Sequence, residues 1–287
     1  MIKPISLTER LLFTTVRIEA VLADNKIAIG TGFFFDAKID EKRKMPLIVS
    51  NKHVVHEALR GRFQLHQAET TGDEIWPSAH SFTVEIDKFA ERWIGYPDDM
   101  VDLCAMPFQP LREQAQQQGK SIFNLTFDES VIIPQQKLEE LSAVENILMI
   151  GYPIGLWDEK NNLPLIRRGI TATHIAIDFG GRPEFLIDSA CFPGSSGSPV
   201  VLADEGAYQD KRGNVYVGRN RIALLGVLYA GPQVAVEGSI VPRPIPTTVS
   251  PISETRIPIH LGYVIKATSI LALCYYIIKI AKKKGLL

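Results

Sequence analysis

The stretch PGSSGSPVV, residues Pro193 to Val201, holds three serines among glycines and prolines and continues into an apolar segment. A hydroxyl that attacks a carbonyl needs backbone N–H groups facing the developing oxyanion. In one recurrent arrangement these come from the nucleophile and from the residue two positions before it. Ser195 has Pro193 at that position, and proline has no N–H to donate. Ser196 has Gly194 there, which can adopt a positive φ. We therefore predict Ser196 as the nucleophile and the amides of Gly194 and Ser196 as the oxyanion hole.

Other interpretations of this stretch stay open. Ser198 directly precedes Pro199, which favours an extended backbone that leaves the turn. Gly, Ser and Pro are also common in turns that carry no chemistry. An α/β-hydrolase elbow needs G-x-S-x-G between a strand and a helix, whereas a strand-like PVVL follows here, and its histidine would have to be His260.

A serine nucleophile requires a histidine base and an acid that orients the base. His53 follows the apolar run PLIVS, so a strand would deliver its imidazole at an edge, and His56 is the rival. Asp102 interrupts the apolar start of VDLCAM, where an unpaired carboxylate would be costly to bury. Asp98 and Asp99 lie in the preceding polar segment. A turn-capping role for Asp102 is the alternative.

Composition bounds the class of protein. The chain of 287 residues has 31 Lys and Arg against 32 Asp and Glu, so no net field attracts it to nucleic acid. Cys104, Cys191 and Cys274 are scattered in apolar contexts, which argues against a disulfide framework. The N-terminal segment lacks the pattern of a secretion signal. We expect a cytoplasmic protein.

Short apolar runs rich in Val, Ile and Phe, such as TTVRIEAVL and RIALLGVLYAG, alternate with turn signals and predict an all-β sandwich or barrel. The proline-rich residues 232–258 predict a long surface loop. The tail predicts a helix with Thr268 or Ser269 as N-cap and Gly285 near its C-terminus. Its apolar run is much shorter than the ~20 residues that cross a bilayer, so a docked helix is favoured over a membrane anchor.

Four motifs occur in a familiar order: GTGFFF, IVSNKHVV with His53, DLCAM with Asp102, and PGSSGSPVV with Ser196. The chain thereby resembles the trypsin-like, chymotrypsin-fold serine peptidases, specifically their bacterial, disulfide-free type. The resemblance implies two six-stranded antiparallel β-barrels with the site in the cleft between them. It also implies a Ser-His-Asp triad that hydrolyses peptide bonds through an acyl-enzyme.

Polar segments with weak helical spacing between Phe108 and Asn146 predict a connection between two β halves at residues 122–145. The N-terminal barrel with His53 and Asp102 would then occupy residues 1–121. A C-terminal barrel with Ser196 follows at residues 146–267, and the terminal helix occupies 268–287.

By the same resemblance, substrate would contact five residues. Ala190 would form the base of the primary specificity pocket, Gly231 and Gly262 its walls, and the segment with Tyr229 and Ala230 would pair with the substrate backbone. These residues carry no charge, so we expect a small or medium apolar residue before the cleaved bond.

Many secreted relatives have an aspartate before the nucleophile, which pairs with an N-terminus created by proteolysis. The neutral Ser195 cannot hold an ammonium in this way, so no zymogen cleavage is expected. We expect no cofactor and no metal. A metal site at His53, His56 and Asp102 would lack the usual helical spacing.

The expected function is therefore that of a serine endopeptidase acting on polypeptides. A regulatory protein could bind as well, whereas nucleic acid and membrane are not expected partners. A catalytically silent scaffold or binding module of the same fold is the alternative.

Overall fold

The computed structural model describes residues 1–239 and 252–287, and for residues 233–239 and 252–258 only the backbone. Within this part of the chain, strands dominate and form a nine-stranded sheet, a closed six-stranded barrel and two hairpins. The strands are β1 (Thr15–Val21), β2 (Ile27–Lys38), β3 (Lys44–Ser50), β4 (Arg60–Thr71), β5 (Glu74–Asp87), β6 (Ile94–Gly95), β7 (Cys104–Pro107), β8 (Ile122–Phe123), β9 (Phe127–Asp128), β10 (Asn146–Gly151), β11 (Leu165–Thr171), β12 (Glu184–Asp188), β13 (Pro199–Asp204), β14 (Ala207–Gln209), β15 (Val215–Val217), β16 (Arg221–Ala230), β17 (Gln233–Ser239), β18 (Ile252–Pro258) and β19 (Leu261–Lys266). The helices are α1 (Leu7–Leu11), α2 (Lys52–Val55), α3 (Gln109–Gln117), α4 (Gln135–Leu138) and α5 (Thr268–Lys283).

The N-terminal unit is the nine-stranded sheet, with the order β5-β4-β1-β2-β3-β7-β6, to which β8 adds beside β4 and β9 beside β2. Strand alternation directs Val16, Ile18 and Ala20 of β1 into one apolar cluster with Phe63 and Phe89. The segment 122–145, predicted as a connection, contributes β8 and β9 to this sheet. The domain boundaries themselves remain a prediction.

The C-terminal unit is the closed barrel, in the order β10-β11-β12-β19-β16-β13. Met149, Phe185, Val200, Leu225 and Val264 fill its interior, each at most 2% exposed. The predicted fold class, all-β with a C-terminal helix, is confirmed. The first unit differs in detail from a six-stranded barrel because short flanking segments extend its sheet to nine strands.

A third apolar cluster lies between the two units and joins them to α5. Phe33 and Phe35 of β2 enter this cluster, whereas Phe34 points to the other side of the sheet. Helix α5 contributes Ile270, Leu273, Cys274 and Ile277 to the same cluster, and the partly buried Ile278 packs against it. Ala281, on the same helix, is also buried. The two units are therefore packed together by a shared core.

The ends of α5 were predicted with mixed success. The N-cap is Ala267, with no side-chain cap, and not Thr268 or Ser269. At the other end Gly285 adopts φ +68°, and Leu286 N–H donates to the Ala281 carbonyl over 3.0 Å, as in a Schellman motif. Among the described residues, none of the helices has the length and apolarity that a membrane crossing requires.

The loop predicted for residues 232–258 is wrong at both ends, because β17 and β18 pair there as an antiparallel hairpin. The segments QVAVEGS and ISETRIP are free of internal proline, and the proline cluster lies between them. Residues 240–251, which hold most of these prolines, lie outside the described residues. Cys104, Cys191 and Cys274 are buried free thiols.

Candidate active site

The structure brings His53 and Asp102 together. β3 ends at Ser50, and the short helix α2 that follows carries His53. The Asp102 carboxylate accepts a hydrogen bond from the His53 backbone N–H over 3.1 Å, and its other oxygen lies within hydrogen-bond distance of the ring Nδ1. The side-chain amide of Asn51 donates to the Asp102 carbonyl over 2.7 Å. One aspartate therefore holds both the backbone and the ring of His53.

The rival groups lie elsewhere. The His56 side chain is 71% exposed and faces Glu57, with Nδ1 3.9 Å from a carboxylate oxygen. Asp98 accepts from the Met100 N–H within its own loop, and Asp99 is fully exposed. Only Asp102, at 23% side-chain exposure, pairs with the imidazole of His53.

Ser195, Ser196 and Ser198, the three serines of the PGSSGSP motif in the loop between β12 and β13, have different surroundings. Ser195 and Ser198 are completely buried, whereas Ser196 is partly exposed. The Ser198 hydroxyl lies 3.4 Å from that of Thr31. Of the three, only Ser196 presents its side chain where a substrate could reach it.

Thr31 of β2 connects the loop at residues 189–198, called the serine loop below, to the segment at residues 50–53 that ends at His53. Its N–H donates to the Ser196 carbonyl over 2.8 Å, and its carbonyl accepts from the Ser50 hydroxyl over 2.7 Å. Ser50 is three residues before His53. A Cβ on Gly197, whose φ is +87°, would lie 1.9 Å from the Thr31 carbonyl oxygen, so this close approach requires glycine. The loop that carries Ser196 and the segment that leads to His53 thus both contact Thr31.

The hydroxyl of Ser196 donates to the Tyr229 carbonyl over 3.3 Å. Among the described residues, the Ser196 hydroxyl makes no hydrogen bond to His53. The structure therefore pairs His53 with Asp102, while the Ser196 hydroxyl bonds to a different acceptor. Tyr229 lies at a β-bulge between Leu228 and Ala230, which leaves its carbonyl out of the barrel ladder.

The predicted oxyanion hole depends on the orientation of the Pro193–Gly194 peptide. The N–H of Ile154 donates to the Pro193 carbonyl over 2.5 Å. In a trans peptide the carbonyl and the N–H point in opposite directions, so the Gly194 N–H is turned away from Ile154. Within the described residues, neither the Gly194 N–H nor the Ser196 N–H has a hydrogen-bond acceptor. The oxyanion hole at these two amides stays a prediction.

The turn that holds the Pro193 carbonyl is strained. Ile154 has φ 54° and ψ 23°, a left-handed conformation that is costly for a β-branched residue. Its side chain is 71% exposed, so side-chain packing does not account for this conformation. Gly194 has φ +87°, and a Cβ there would lie 2.5 Å from the Tyr152 carbonyl oxygen. The turn and the serine loop are thus in direct backbone contact.

The predicted pocket residues surround a side chain that the sequence reasoning missed. A Cβ added to Gly231 would lie 3.4 Å from the Cβ of Cys191. A Cβ added to Gly262 would lie 2.6 Å from the Sγ of Cys191. Cys191 therefore packs between the two predicted walls, whereas Ala190 offers its carbonyl to Arg167. Burial raises the pKa of the Cys191 thiol to about 11, so the thiol is neutral at physiological pH. Only its position beside Ala190 in the sequence could have indicated it.

Tyr229 and Ala230 lie at the end of β16, as expected for a strand beside the serine. The Tyr229 hydroxyl donates to a Glu184 carboxylate oxygen over 2.9 Å. Tyr229 consequently offers its backbone, and not its ring, to the region of Ser196.

Across residues 1–239 and 252–287, no cluster of three or more His, Cys, Asp or Glu side chains is arranged to hold a metal ion.

Comparison with known proteins gives a family. The model of the trypsin-like peptidase domain matches residues 30–207, a range that includes His53, Asp102 and Ser196. This match confirms the family indicated by the sequence motifs. Among curated proteins, none matches the chain significantly.

Solved structures with a similar backbone fold include a serine endoprotease from Yersinia pestis (TM-score 0.48), the HtrA-type protease AlgW with a tripeptide (TM-score 0.49) and HL collagenase (TM-score 0.44). Each is 14% identical to this chain and is matched over 96% of it. The chain spans 68%, 63% and 95% of their respective lengths, so it covers less than two thirds of AlgW.

Proposed function

The chain belongs to the family of trypsin-like peptidase domains, and from this premise we propose that it is a serine endopeptidase with Ser196 as nucleophile, His53 as base and Asp102 as orienting acid. The single observation that carries the proposal is the double contact of Asp102 with the backbone and ring of His53. A carboxylate on Nδ1 fixes the tautomer that leaves Nε2 free to accept a proton.

The proposed reaction has two halves. Ser196 Oγ attacks the scissile carbonyl carbon while His53 Nε2 takes the hydroxyl proton, and the carbonyl electron pair moves onto oxygen. The N–H groups of Gly194 and Ser196 donate to that oxyanion. When the tetrahedral intermediate collapses, the C–N bond breaks and His53 returns the proton to the leaving amine. Water then attacks the acyl-Ser196 ester while His53 takes its proton; the ester C–O bond breaks, and His53 returns the proton to Ser196 Oγ.

The bond between the Ser196 hydroxyl and the Tyr229 carbonyl is compatible with this proposal, because its 3.3 Å length makes it weak. Rotation about the single Cα–Cβ bond of Ser196 redirects the hydroxyl. The same bond is the observation that favours the second candidate function, a catalytically silent scaffold. In a scaffold the hydroxyl would stay on Tyr229, and Ser196 would show no enhanced reactivity.

Further parts of the proposal concern substrate and setting. A neutral thiol and two glycines around the predicted pocket support a small or medium apolar residue before the cleaved bond. Ser195 in place of an aspartate supports activity without zymogen cleavage. We also propose a cytoplasmic enzyme of the bacterial, disulfide-free type that uses no cofactor and acts on polypeptides.

Turnover of an unstructured protein such as casein tests the proposal. New N-termini should accumulate with the native chain and with Ser198→Ala, and should vanish with Ser196→Ala and His53→Ala. Ser198 is the matched control because it lies in the same loop but is buried. Cleavage by Ser196→Ala at the native rate would exclude the proposed nucleophile, and folded native protein without cleavage of any peptide would favour the scaffold.

A further inference from the structure

Arg167 of β11 reaches the back of the serine loop. Its Nη1 donates to the Ala190 carbonyl, and its Nη2 donates to the Ser195 hydroxyl. The guanidinium also lies over the ring of Phe192, 5.7 Å from its centroid. One side chain therefore contacts three residues of the loop that carries Gly194 and Ser196.

These contacts fix the loop at two points. Ala190 is near its start, and Ser195 directly precedes the proposed nucleophile. A guanidinium has donors in a rigid planar fork, so two bonds to different residues hold those residues at a set separation. Because the Ser195 side chain is fully buried, solvent does not compete for its hydroxyl. The fork thus acts on the loop segment that orients the Gly194 and Ser196 amides.

The partly buried environment of Arg167 is unfavourable for its positive charge. Within the described residues, Arg167 has no carboxylate within 4 Å. Burial lowers its pKa below the usual value for arginine. A partly buried cation bonded only to neutral acceptors is less favourable than an apolar residue of similar volume would be, unless its bonds are needed.

We propose that Arg167 is a positioning residue that holds the loop 190–196 in the conformation in which the Gly194 and Ser196 amides face an oxyanion. This inference rests on the proposed peptidase function. Arg167 does not touch the reacting atoms; it acts through Ala190 and Ser195. A competing role, selection of an acidic substrate side chain by the guanidinium, gives a different kinetic signature.

The kinetic test uses Arg167→Met, which keeps an unbranched stem and removes all donors, and Arg167→Lys, which keeps the charge without the fork. The matched control is Arg168→Met, since Arg168 is exposed and neighbouring strand residues point to opposite faces. We expect kcat to fall ~10- to 100-fold in Arg167→Met with KM within about twofold, and less in Arg167→Lys. Arg168→Met should match the native chain. An increased KM confined to substrates with an acidic residue would overturn the positioning role in favour of selection.

A second test does not depend on activity. Cys191 lies inside the loop, so a loosened loop should expose it to iodoacetamide, whereas Cys104 and Cys274 serve as internal controls. In a Ser196→Ala background, Arg167→Met should raise the alkylation rate of Cys191 about tenfold and leave the other two unchanged. If the native chain cleaves peptides but Arg167→Met changes neither kcat nor Cys191 alkylation, the inference fails. If Cys191 is protected by Arg167 but the native chain has no turnover, the positioning contact holds and the proposed function fails.

Discussion

Thr31 and Ser196 are joined across the two units by a backbone hydrogen bond, in which the Thr31 N–H donates to the Ser196 carbonyl over 2.8 Å. The Thr31 hydroxyl continues this link, because it donates to the Gly194 carbonyl over 3.1 Å and accepts from the Tyr152 N–H over 3.2 Å. Thr31 is fully buried. The position of the proposed oxyanion hole relative to His53 is therefore set by one residue of β2.

Thr31→Val should test this link, because valine keeps the shape but leaves the Gly194 carbonyl and the Tyr152 N–H without their partner. We expect the free energy of unfolding to fall by ~1–3 kcal/mol and kcat to fall about tenfold. Urea denaturation and steady-state kinetics measure the two effects. Thr31→Ser, which retains the hydroxyl, should keep most of the native kcat; equal kcat in the valine variant would show that the hydroxyl does not position the loop.

Asp102→Asn should lower kcat by up to ~10⁴-fold while the fold is retained. The asparagine amide would donate to Nδ1 of His53, which forces the ring proton onto Nε2, where the Ser196 proton has to be accepted. Asp99→Asn is the matched control, since Asp99 is an exposed neighbour in sequence. Native kcat in Asp102→Asn, measured on a peptide ester, would remove Asp102 from the mechanism.

Gly194→Ala should abolish most of the activity, because a Cβ would meet the Tyr152 carbonyl oxygen at 2.5 Å and rotate the peptide that carries the N–H. Loss of one oxyanion donor corresponds to ~10²–10³-fold in kcat. Gly213→Ala is the matched control for a Cβ at a positive φ. Gly213 has the same φ of +87°, but an added Cβ there would have Gln209 Nε2 as its nearest neighbour, at 3.6 Å. The kcat of Gly194→Ala should be lower than that of Gly213→Ala by ~10²–10³-fold. Similar losses of kcat in the two variants would contradict the role of the Gly194 amide.

His66 should make the protein less stable in mild acid. It is buried against Phe13, and burial lowers its pKa from 6.5 to about 4. Between these values the unfolded chain binds more protons than the folded chain, so stability is present above pH 6.5 and is lost as the pH falls toward 4. The free energy of unfolding should drop by about 2 kcal/mol between pH 7 and pH 5 from this group. In urea titrations, the free energy of unfolding of His66→Gln should depend less on pH than that of the native chain, whereas the exposed His80→Gln should keep the native pH dependence. An unchanged pH dependence in His66→Gln would show that His66 is not the titrating group.

The features predictable from sequence were those encoded by local pattern. Gly194 and Pro193 constrain the loop through their own backbone chemistry, and Gly194 indeed adopts the positive φ that its place before Ser196 requires. The alternation of apolar residues likewise indicated the strands. In each case, neighbouring residues along the chain carry the information.

Contacts between distant strands were not predictable in this way. Arg167 lies 28 residues before Ser195, and nothing in the sequence of β11 indicates that its side chain contacts the loop that holds Ser195. The donation from Ile154 to the Pro193 carbonyl depends on a backbone conformation that isoleucine rarely adopts. The β17–β18 hairpin was missed because the proline cluster between the strands dominated the composition of the segment.

Reaction of the folded native chain with a fluorophosphonate, followed by tandem mass spectrometry of the adduct, shows whether Ser196 is an activated nucleophile. We predict one phosphonyl group per chain on Ser196, formed far more slowly in His53→Ala and not at all in Ser196→Ala. An adduct on Ser195, Ser198 or another residue, or no adduct on the folded chain, would contradict it.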